Sequence, residues 1–445
     1  MGNAVSKVKA GPTKDFFVSM ITRDIQLSDA IVELIDNSID GIKRQKTDKY
    51  NDFFIKVKLN KDFFEIEDNC GGIDLKIATE YAFVFGKPKA ARAQQECVET
   101  TGTFGIGMKR ALFKMGNNFE VTSKAKTSSF ILRVDVNEWM QDENEWDFLL
   151  AESSSSDDNE SSQCGTKITV TSLYPSISKN FDYNVFINEV IGVVQRRANA
   201  EISKGLAISI NGTKINGTFL TILNGGNVAP YKYSFESDDI KVMVIAGISA
   251  ETDPDKAGWY IYCNNREVLS SDKSSLTTWK DDKDTTGIKY HNDFASFRGF
   301  VFFTSSYPER LPWNTSKTGI DSSSPIYREA HQHMVDAFKI ISAELRKLAG
   351  LDEEIRSAVT KKLRNNSELQ LHYYTAQNIL NKTSIAFVEP YEKQVRIEVE
   401  IAPTTTISYS VEKKIVDKVK KALKVNTNKD VGLKTFEYYV DMEQV

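Results

Sequence analysis

The sequence Leu27-Ser-Asp-Ala-Ile-Val-Glu-Leu-Ile-Asp-Asn-Ser-Ile-Asp-Gly41 has the spacing of an amphipathic helix. Its apolar residues recur every three or four positions and form one face. Glu33, Asn37 and Asp40 fall at positions i, i+4 and i+7, so they stack on another face. A carboxylate can polarise a water, and the oxygen of a neighbouring carboxamide can hold a hard cation such as Mg²⁺. An ordinary surface helix with acidic residues would show the same pattern, so other motifs have to separate the two interpretations.

The composition is typical of a globular protein with several domains. The chain has 445 residues, enough for about three domains, and its net charge of −4 gives no overall attraction to nucleic acid or membrane. No apolar run approaches the ~20 residues of a membrane span, and residues 1–14 lack the apolar core of a signal peptide. The four cysteines form no CxxC pair. We therefore expect a cytoplasmic protein without a zinc site or a disulfide framework.

A second motif follows a predicted strand. Phe63-Phe-Glu-Ile-Glu67 leads into Asp68-Asn-Cys-Gly-Gly-Ile73. Two glycines let the backbone approach a flat ligand closely, and the preceding acid can then accept a hydrogen bond from an exocyclic amine. A tight turn that uses Asp, Asn and Gly for their turn chemistry would give the same sequence.

A polar segment and a glycine-rich turn come next. Residues 86–101 are polar and irregular, with the length of an active-site lid. Thr101-Gly-Thr-Phe-Gly-Ile-Gly-Met-Lys-Arg-Ala-Leu-Phe113 then places three glycines before a predicted helix. The N–H groups and positive dipole at a helix N-terminus bind anions, and Lys109 and Arg110 add positive charge. The pattern is not that of a P-loop, and its place after a long loop does not fit a Rossmann first turn.

The first region continues with predicted strands at residues 119–123, 130–136 and 165–171. The last of these opens with the pair Gly165-Thr166, where threonine is also simply a common strand residue. The acidic, serine-rich run at residues 151–162 is predicted to be a solvated hairpin loop.

A second region begins near residue 174. We predict a helix over 183–202, a helix over 326–348, and strands at 206–210, 239–248, 259–266 and 299–304. The loop at residues 309–321 collects Pro, Trp, Asn and Gly around one lysine, Lys317.

The last hundred residues predict a small α/β module without recognisable chemistry. We expect helical sequence over 351–382, a strand at 394–401, a basic amphipathic helix at 411–424 and a strand near 435–440. The basic helix is typical of a core-packed helix with a lysine-rich solvated face, and contact with DNA is the alternative.

Taken together, these motifs resemble the GHKL ATPases in order and spacing. That superfamily includes the gyrase B subunit, the ninety-kilodalton heat-shock chaperones, histidine kinases and the mismatch-repair protein MutL, which share the Bergerat nucleotide fold. The likeness is close over residues 13–172 and looser over 200–345. It rests on the groups Glu33/Asn37, Asp68/Gly71/Gly72, Gly102/Gly105/Gly107 and Gly165-Thr166.

The resemblance implies a role for each motif. Glu33 is implied to be the general base that activates water, and Asn37 to be the Mg²⁺ ligand. Asp68 is implied to accept a hydrogen bond from the adenine amino group, with support from Thr166. The complete set of implied nucleotide-binding residues is Asn37, Asp40, Asp68, Gly71, Gly72, Ile73, Gly102, Thr103, Phe104, Gly105, Ile106, Gly107, Met108, Lys109 and Thr166. One departure is Cys70, which stands where the superfamily pattern D-x-G-x-G has its first glycine.

The second region resembles the transducer domain of MutL- and MORC-type members. Residues 259–266 are similar to an aromatic-rich Y-x-x-N-x-R strand of that domain, and residues 103–109 look more like the MORC form than the gyrase form. The loop at 315–319 resembles the place where gyrase- and MutL-type proteins present a lysine to the γ-phosphate. Lys317 is therefore implied to be a second catalytic residue, although a solvated loop lysine is the usual alternative.

The expected fold is of the α+β class. We expect a Bergerat-fold α/β sandwich ATPase domain at residues 1–173 and a transducer-like α/β domain, similar to ribosomal protein S5, at 174–349. The small C-terminal module is expected to occupy residues 350–445.

The resemblance implies an ATP-driven, Mg²⁺-dependent clamp. ATP would order the lid, close two protomers into a homodimer, and act on double-stranded DNA, with a nuclease or helicase encoded elsewhere as a further partner. The alternative is a chaperone-like ATPase that remodels a protein partner, and a binding module with a decayed ATP site is another. A histidine kinase is disfavoured because all four histidines follow the ATP-binding motifs.

Overall fold

The structure is a computed structural model of the chain. It describes residues 11–47, 49–86, 105–155, 164–225, 227–280, 288–314, 317–371, 376, 387–398 and 405–444. Two compact units are distinguished, one within residues 1–393 and one within residues 394–445. No helix among the described residues is both long enough and apolar enough to cross a membrane.

The described residues form thirteen α-helices and fifteen strands. The helices are α1 (Lys14–Arg23), α2 (Leu27–Arg44), α3 (Leu75–Ile77), α4 (Gly107–Met115), α5 (Val136–Trp139), α6 (Pro175–Phe181), α7 (Asn184–Arg197), α8 (Asn199–Ser203), α9 (Pro325–Ala349), α10 (Glu353–Arg364), α11 (Val388–Glu398), α12 (Lys413–Leu423) and α13 (Asn428–Glu443). The strands are β1 (Phe54–Leu59), β2 (Phe64–Asp68), β3 (Gly116–Lys124), β4 (Ser128–Asp135), β5 (Leu150–Ser155), β6 (Gly165–Leu173), β7 (Ala207–Ile210), β8 (Thr213–Lys214), β9 (Thr221–Leu223), β10 (Tyr231–Ser237), β11 (Ile240–Ile248), β12 (Gly258–Cys263), β13 (Arg266–Asp272), β14 (Phe297–Thr304) and β15 (Glu368–Gln370).

The first region is a two-layer sandwich of helices on a mixed sheet. Eight strands lie in the order β5-β4-β3-β6-β2-β1-β7-β8, and all neighbours are antiparallel except the parallel pair β1 and β7. In β1, alternate residues from Ile55 to Leu59 are buried, which is the two-residue period of a strand with one face in the core. These side chains pack with those of α1, α2 and α4 in one hydrophobic core.

Helix α2 lies inside this sandwich rather than on the surface. Fourteen of its 18 residues are buried. The buried set includes four acids, Asp29, Glu33, Asp36 and Asp40. Because carboxylates are rarely buried unless they are paired, this burial disfavours an ordinary surface helix with acidic residues.

The second region is built on a five-stranded sheet in the order β10-β11-β14-β12-β13. Helix α9 packs on β10, β11 and β14, and its residues Met334, Ala337 and Phe338 are buried. Strand β9, which pairs with β15, contributes Ile222 to a second cluster with Phe300 and Phe302. The expected α+β class is thereby confirmed. The division at 173 and 349 stays a prediction, and β7 and β15 both pair across it.

One predicted strand is wrong in detail. Residues 259–266 form a hairpin and not a single strand, because Asn264 and Asn265 both have positive φ angles, 48° and 68°. Consecutive positive φ angles at Asn make the tight turn that joins antiparallel strands. The turn places Arg266 at the start of β13.

Two predicted C-terminal strands are also wrong. The stretch from residue 394 lies in α11, where Val388, Tyr391 and Val395 are buried at helical spacing. Residues 435–440 lie in α13, which begins after Thr427, whose hydroxyl accepts a hydrogen bond from the Asp430 N–H at 3.1 Å. The basic helix is confirmed as α12.

Two predicted loops fall partly outside the described residues. The serine-rich loop starts as strand β5, which pairs with β4, and its second half, residues 156–163, is not described. The predicted lid, including Gly102, Thr103 and Phe104, also lies almost wholly outside the described residues.

Candidate functional site

The centre of the site is the buried carboxylate of Glu33, which is 3% exposed. Lys317 Nζ lies 3.3 Å from each of its two oxygens. Arg266 Nη1 lies 3.3 Å from Glu33 Oε1. Both cations come from the second region, Lys317 from the loop after β14 and Arg266 from the start of β13. Two regions of the chain therefore meet at one carboxylate.

The electrostatics keep Glu33 ionised. Burial alone would raise the pKa of this carboxyl, but the charges of Lys317, Arg266 and Arg110 outweigh burial, so its pKa is lowered. Burial lowers the pKa of Lys317, and Glu33 opposes that change. The site thus places several cations around one buried anion, an arrangement that suits a ligand bringing more negative charge.

Arg266 also contacts Asp36, which lies one turn after Glu33 on α2. The same Nη1 atom forms an ion pair with Asp36 Oδ2, while Asp36 Oδ2, Arg266 Nε and Arg266 Nη2 have no hydrogen-bond partner among the described residues. Arg266 was not among the predicted site residues. The available signal was the arginine that ends the Y-x-x-N-x-R pattern.

Asp68 forms the other end of the site. Ser38 Oγ donates to Asp68 Oδ2 at 2.6 Å, and the N–H groups of Cys70 and Thr166 donate to Oδ1 at 2.8 and 3.3 Å. Burial raises the pKa of Asp68, and these hydrogen bonds oppose the rise. The carboxylate is thereby fixed in orientation at the end of β2.

A pocket opens beside Asp68. It is open to solvent and lies between α2, β2, β6 and the start of α4. Of the residues implied by the sequence, the pocket lining includes Asn37, Asp68, Gly72, Ile73, Met108 and Thr166. The structure therefore brings four motifs, separated by up to 130 positions in the chain, around one cavity.

Backbone geometry at residues 70–73 shapes this pocket. Gly72 has a φ of +70°, and a Cβ added there would lie 2.2 Å from Lys124 O. The Ile73 N–H donates to Ser123 Oγ at 2.7 Å, and Ser123 Oγ lies 3.4 Å from Thr166 Oγ1. Cys70 is buried and also lines the pocket, and burial raises the pKa of its thiol. Cys70 is thus a neutral wall residue here.

We expect Gly72→Ala to destabilise the chain strongly. Alanine in the left-handed region costs about 1–2 kcal/mol, and the contact with Lys124 O would force the backbone apart at a further cost of about 1–3 kcal/mol. The matched control is Gly212→Ala, because Gly212 has a φ of +79° but no atom within 4 Å of an added Cβ. Chemical denaturation of the two variants separates the backbone strain at positive φ from the collision of the added Cβ with Lys124 O. Equal losses of unfolding free energy in the two variants would contradict the close approach at Gly72.

The glycine-rich motif brings a helix N-terminus to Glu33. Gly105 has a φ of +67°, and α4 begins at Gly107, directly after Ile106. A Cβ added to Gly107 would lie 2.2 Å from Glu33 Oε2. A larger residue at position 107 would therefore displace the Glu33 carboxylate where the first turn of α4 passes over it.

Lys109 and Asn37 have different surroundings. Lys109 Nζ donates to the carbonyls of Ala82 and Val84, each at 2.8 Å, and burial lowers its pKa to about 7. Lys109 thus ties the start of α4 to the segment before residue 87. Asn37 is half-buried, and its side chain has no hydrogen bond among the described residues, so its amide oxygen is free to accept a ligand.

Asp40 lies deeper in α2 and is 1% exposed. Its negative charge and the positive charge of Arg266 have opposite effects on Lys317: Asp40 raises the pKa of the lysine, and Arg266 lowers it. Asp40 therefore belongs to the same charged cluster as Glu33.

A helix-and-sheet sandwich with a pocket between α2, β2 and β6, and with a glycine-started helix beside a buried glutamate, is the arrangement of a GHKL-type ATPase domain. Residues 25–200 match the family described as histidine kinase-, DNA gyrase B-, and HSP90-like ATPase. The closer likeness to MORC and MutL proteins stays a prediction. No curated protein matches the sequence of the chain.

Proposed function

We propose that the chain is an ATP-binding, Mg²⁺-dependent ATP hydrolase that works as a molecular clamp. The observation that carries the proposal is the buried Glu33, which Lys317 and Arg266 of the second region hold, one turn before Asn37 of the pocket lining on the same helix. A carboxylate at that position can serve as a base, and its contacts give the second region direct access to the reacting end of a nucleotide.

The end of the pocket at Asp68 would recognise adenine. Asp68 would accept a hydrogen bond from the exocyclic amino group, and Thr166, whose N–H holds the same carboxylate, would support it. Gly72, Ile73 and Met108 line the remaining wall. The phosphates would then extend toward the N-terminus of α4, where N–H groups and the helix dipole favour anions.

Hydrolysis would follow from the groups around Glu33. Glu33 accepts a proton from a water, the water oxygen bonds to the γ-phosphorus, and the bond from that phosphorus to the bridging oxygen breaks, leaving ADP and phosphate. Lys317 would leave Glu33 for the γ-phosphate and stabilise the charge on its oxygens. Release of phosphate would return Lys317 to Glu33.

The residues present fit a Mg²⁺ ion that arrives with ATP. The described residues contain no cluster of three His, Cys, Asp or Glu side chains able to hold a metal alone, and Mg²⁺ commonly uses few protein ligands together with substrate phosphates. Asn37, whose amide faces the pocket, would hold the ion through its oxygen. Bound there, the ion would neutralise charge on the phosphates.

The clamp part of the proposal rests on the link between regions and on the resemblance. Because Lys317 belongs to the second region, ATP binding and hydrolysis would alter how that region is held. We propose that ATP closes a homodimer on double-stranded DNA in the cytoplasm, with a nuclease or helicase as a further partner. Cys70, Cys164 and Cys263 are buried and not in disulfides, which suits a reducing compartment. Remodelling of a protein partner is the alternative.

The test is steady-state ATP hydrolysis by the full chain with Mg²⁺, with and without double-stranded DNA. We expect slow turnover that DNA accelerates, and crosslinked dimers with a non-hydrolysable ATP analogue. Turnover indifferent to DNA would favour a protein client. A monomer with and without the analogue would remove the clamp, and absence of ATP binding would remove the whole proposal.

A further inference from the structure

Arg266 differs from Lys317 in how it is anchored. Arg266 is 2% exposed, and its Nη1 atom bridges Glu33 Oε1 and Asp36 Oδ2. Asp36 and Glu33 lie on the same helix face, three positions apart. A guanidinium bound to both is therefore fixed to α2 by two carboxylates.

The backbone that carries Arg266 is fixed as well. In the turn between β12 and β13, Asn264 Nδ2 donates to Ser305 O at 2.9 Å, and the Ser305 N–H donates to Asn264 Oδ1 at 2.9 Å. These two bonds tie the turn to the residue that follows β14. Lys317 instead lies on a loop and carries a compact ammonium on a flexible four-carbon stem, so it is the cation that can move to a phosphate.

We propose that Arg266 is a positioning residue for the base. Anchored on Asp36, it holds the Glu33 carboxylate in place after Lys317 has turned to the γ-phosphate. The inference deepens the proposed function and rests on Glu33 being the base. It makes catalysis depend on docking of the second region, because the residue that orients the base is supplied by that region.

The charges around Glu33 fit this role. The groups that face the carboxylate are Lys317, Arg266 and Arg110 from other elements and Asp36 from its own helix. With Lys317 on the phosphate, Arg266 remains to keep Glu33 ionised at neutral pH. The bridge through Asp36 leaves Glu33 only part of the arginine's charge, so the carboxylate can still accept a proton.

The test compares ATP turnover by the full-length chain and its Arg266→Gln and Arg266→Lys variants. We expect Arg266→Gln to lower kcat roughly 10- to 100-fold, the scale of a misplaced catalytic group, while KM for ATP stays within about threefold because the binding contacts remain. Losing the cation raises the pKa of Glu33, so as the pH is lowered the activity of the variant should fall at a higher pH than that of the unmodified chain. Arg266→Lys keeps the positive charge, so it should recover most of kcat and most of the activity at low pH.

The matched control is Arg196→Gln. Arg196 Nε lies 3.6 Å from Glu267 Oε1, on the residue next to Arg266, so this variant loosens the same hairpin without touching Glu33. We expect its kcat and pH profile to match those of the unmodified chain. If Arg196→Gln and Arg266→Gln behave alike, Arg266 only supports docking and the proposal is overturned.

Two further outcomes test the proposed role of Arg266. If Arg266→Gln binds ATP more weakly but its activity falls at the same acidic pH as that of the unmodified chain, Arg266 is a phosphate ligand and the proposal is overturned. If the unmodified chain does not hydrolyse ATP, the proposed function fails, and the contact is tested by melting temperatures of Arg266→Gln, Glu33→Gln and the double variant without nucleotide. Non-additive losses support the bridge, whereas additive losses overturn it.

Discussion

Replacing Glu33 by glutamine should abolish ATP hydrolysis while leaving ATP bound. The amide cannot accept the proton of the attacking water, and removing a general base typically lowers the rate by about 10²- to 10⁴-fold. Binding should hold or improve, because Lys317, Arg266 and Arg110 lose the carboxylate that neutralises them and then favour the phosphates. Single-turnover hydrolysis and equilibrium binding of ATP measure the two effects separately.

The same substitution should destabilise the nucleotide-free chain. Removing one partner of a buried ion pair leaves uncompensated charge and costs about 3–5 kcal/mol. ATP would supply negative charge to the same cations, so the rise in melting temperature on adding ATP should be larger for Glu33→Gln than for the unmodified chain.

Glu65→Gln is the matched control for that experiment. Glu65 is also buried and also pairs with two cations, Lys58 at 2.7 Å and Lys167 at 2.9 Å, but it lies on β2 outside the pocket lining. This variant should lose some stability, keep its turnover and show an ordinary response to ATP. Turnover that persists in Glu33→Gln would exclude Glu33 as the base.

The sequence predicts the parts of this site that are encoded locally. The helical period of α2 and the positive φ angles of Gly71, Gly72 and Gly105 reflect constraints within a few residues. Gly72 needs a positive φ and Gly107 has to clear the Glu33 carboxylate. Such requirements leave a mark in the sequence even though the contacts themselves are long-range, which is why the motif order sufficed to indicate the superfamily.

The cluster around Glu33 is encoded differently. Arg266 lies 233 positions from Glu33 along the chain, and the Y-x-x-N-x-R pattern that ends at Arg266 does not by itself place it beside that carboxylate. Lys317 was predicted only through a resemblance. A pairing of that kind depends on how two sheets meet, and neither periodicity nor turn chemistry reports it.

Strand propensity gave a wrong prediction where tertiary contacts determine the secondary structure. The aromatic stretch near residue 438 has the composition of a strand, but Tyr438 and Tyr439 are exposed in α13, and no sheet is available within the described part of that unit. The consecutive asparagines at 264 and 265, in contrast, were a local turn signal that the analysis did not use.

Replacing Asp68 by asparagine should remove most of the affinity for ATP without unfolding the chain. The asparagine Oδ1 can still accept from the N–H groups of Cys70 and Thr166, and its amide can donate to Ser38 Oγ, so the internal hydrogen bonds persist. The amide then presents a donor to the adenine amino group, which is also a donor. Leaving a buried polar group unpaired costs about 1–3 kcal/mol, or up to roughly 100-fold in Kd.

Asp62→Asn supplies the comparison, because Asp62 is an exposed aspartate that precedes the same strand. Isothermal titration of ATP and of GTP distinguishes recognition of the base from general loss of binding. Asp68→Asn should weaken ATP binding and narrow the difference between ATP and GTP, since guanine presents a carbonyl where adenine has its amino group. Equal weakening for both nucleotides would instead place Asp68 outside the base-reading role, and unchanged affinity for ATP would remove the adenine pocket from its proposed position.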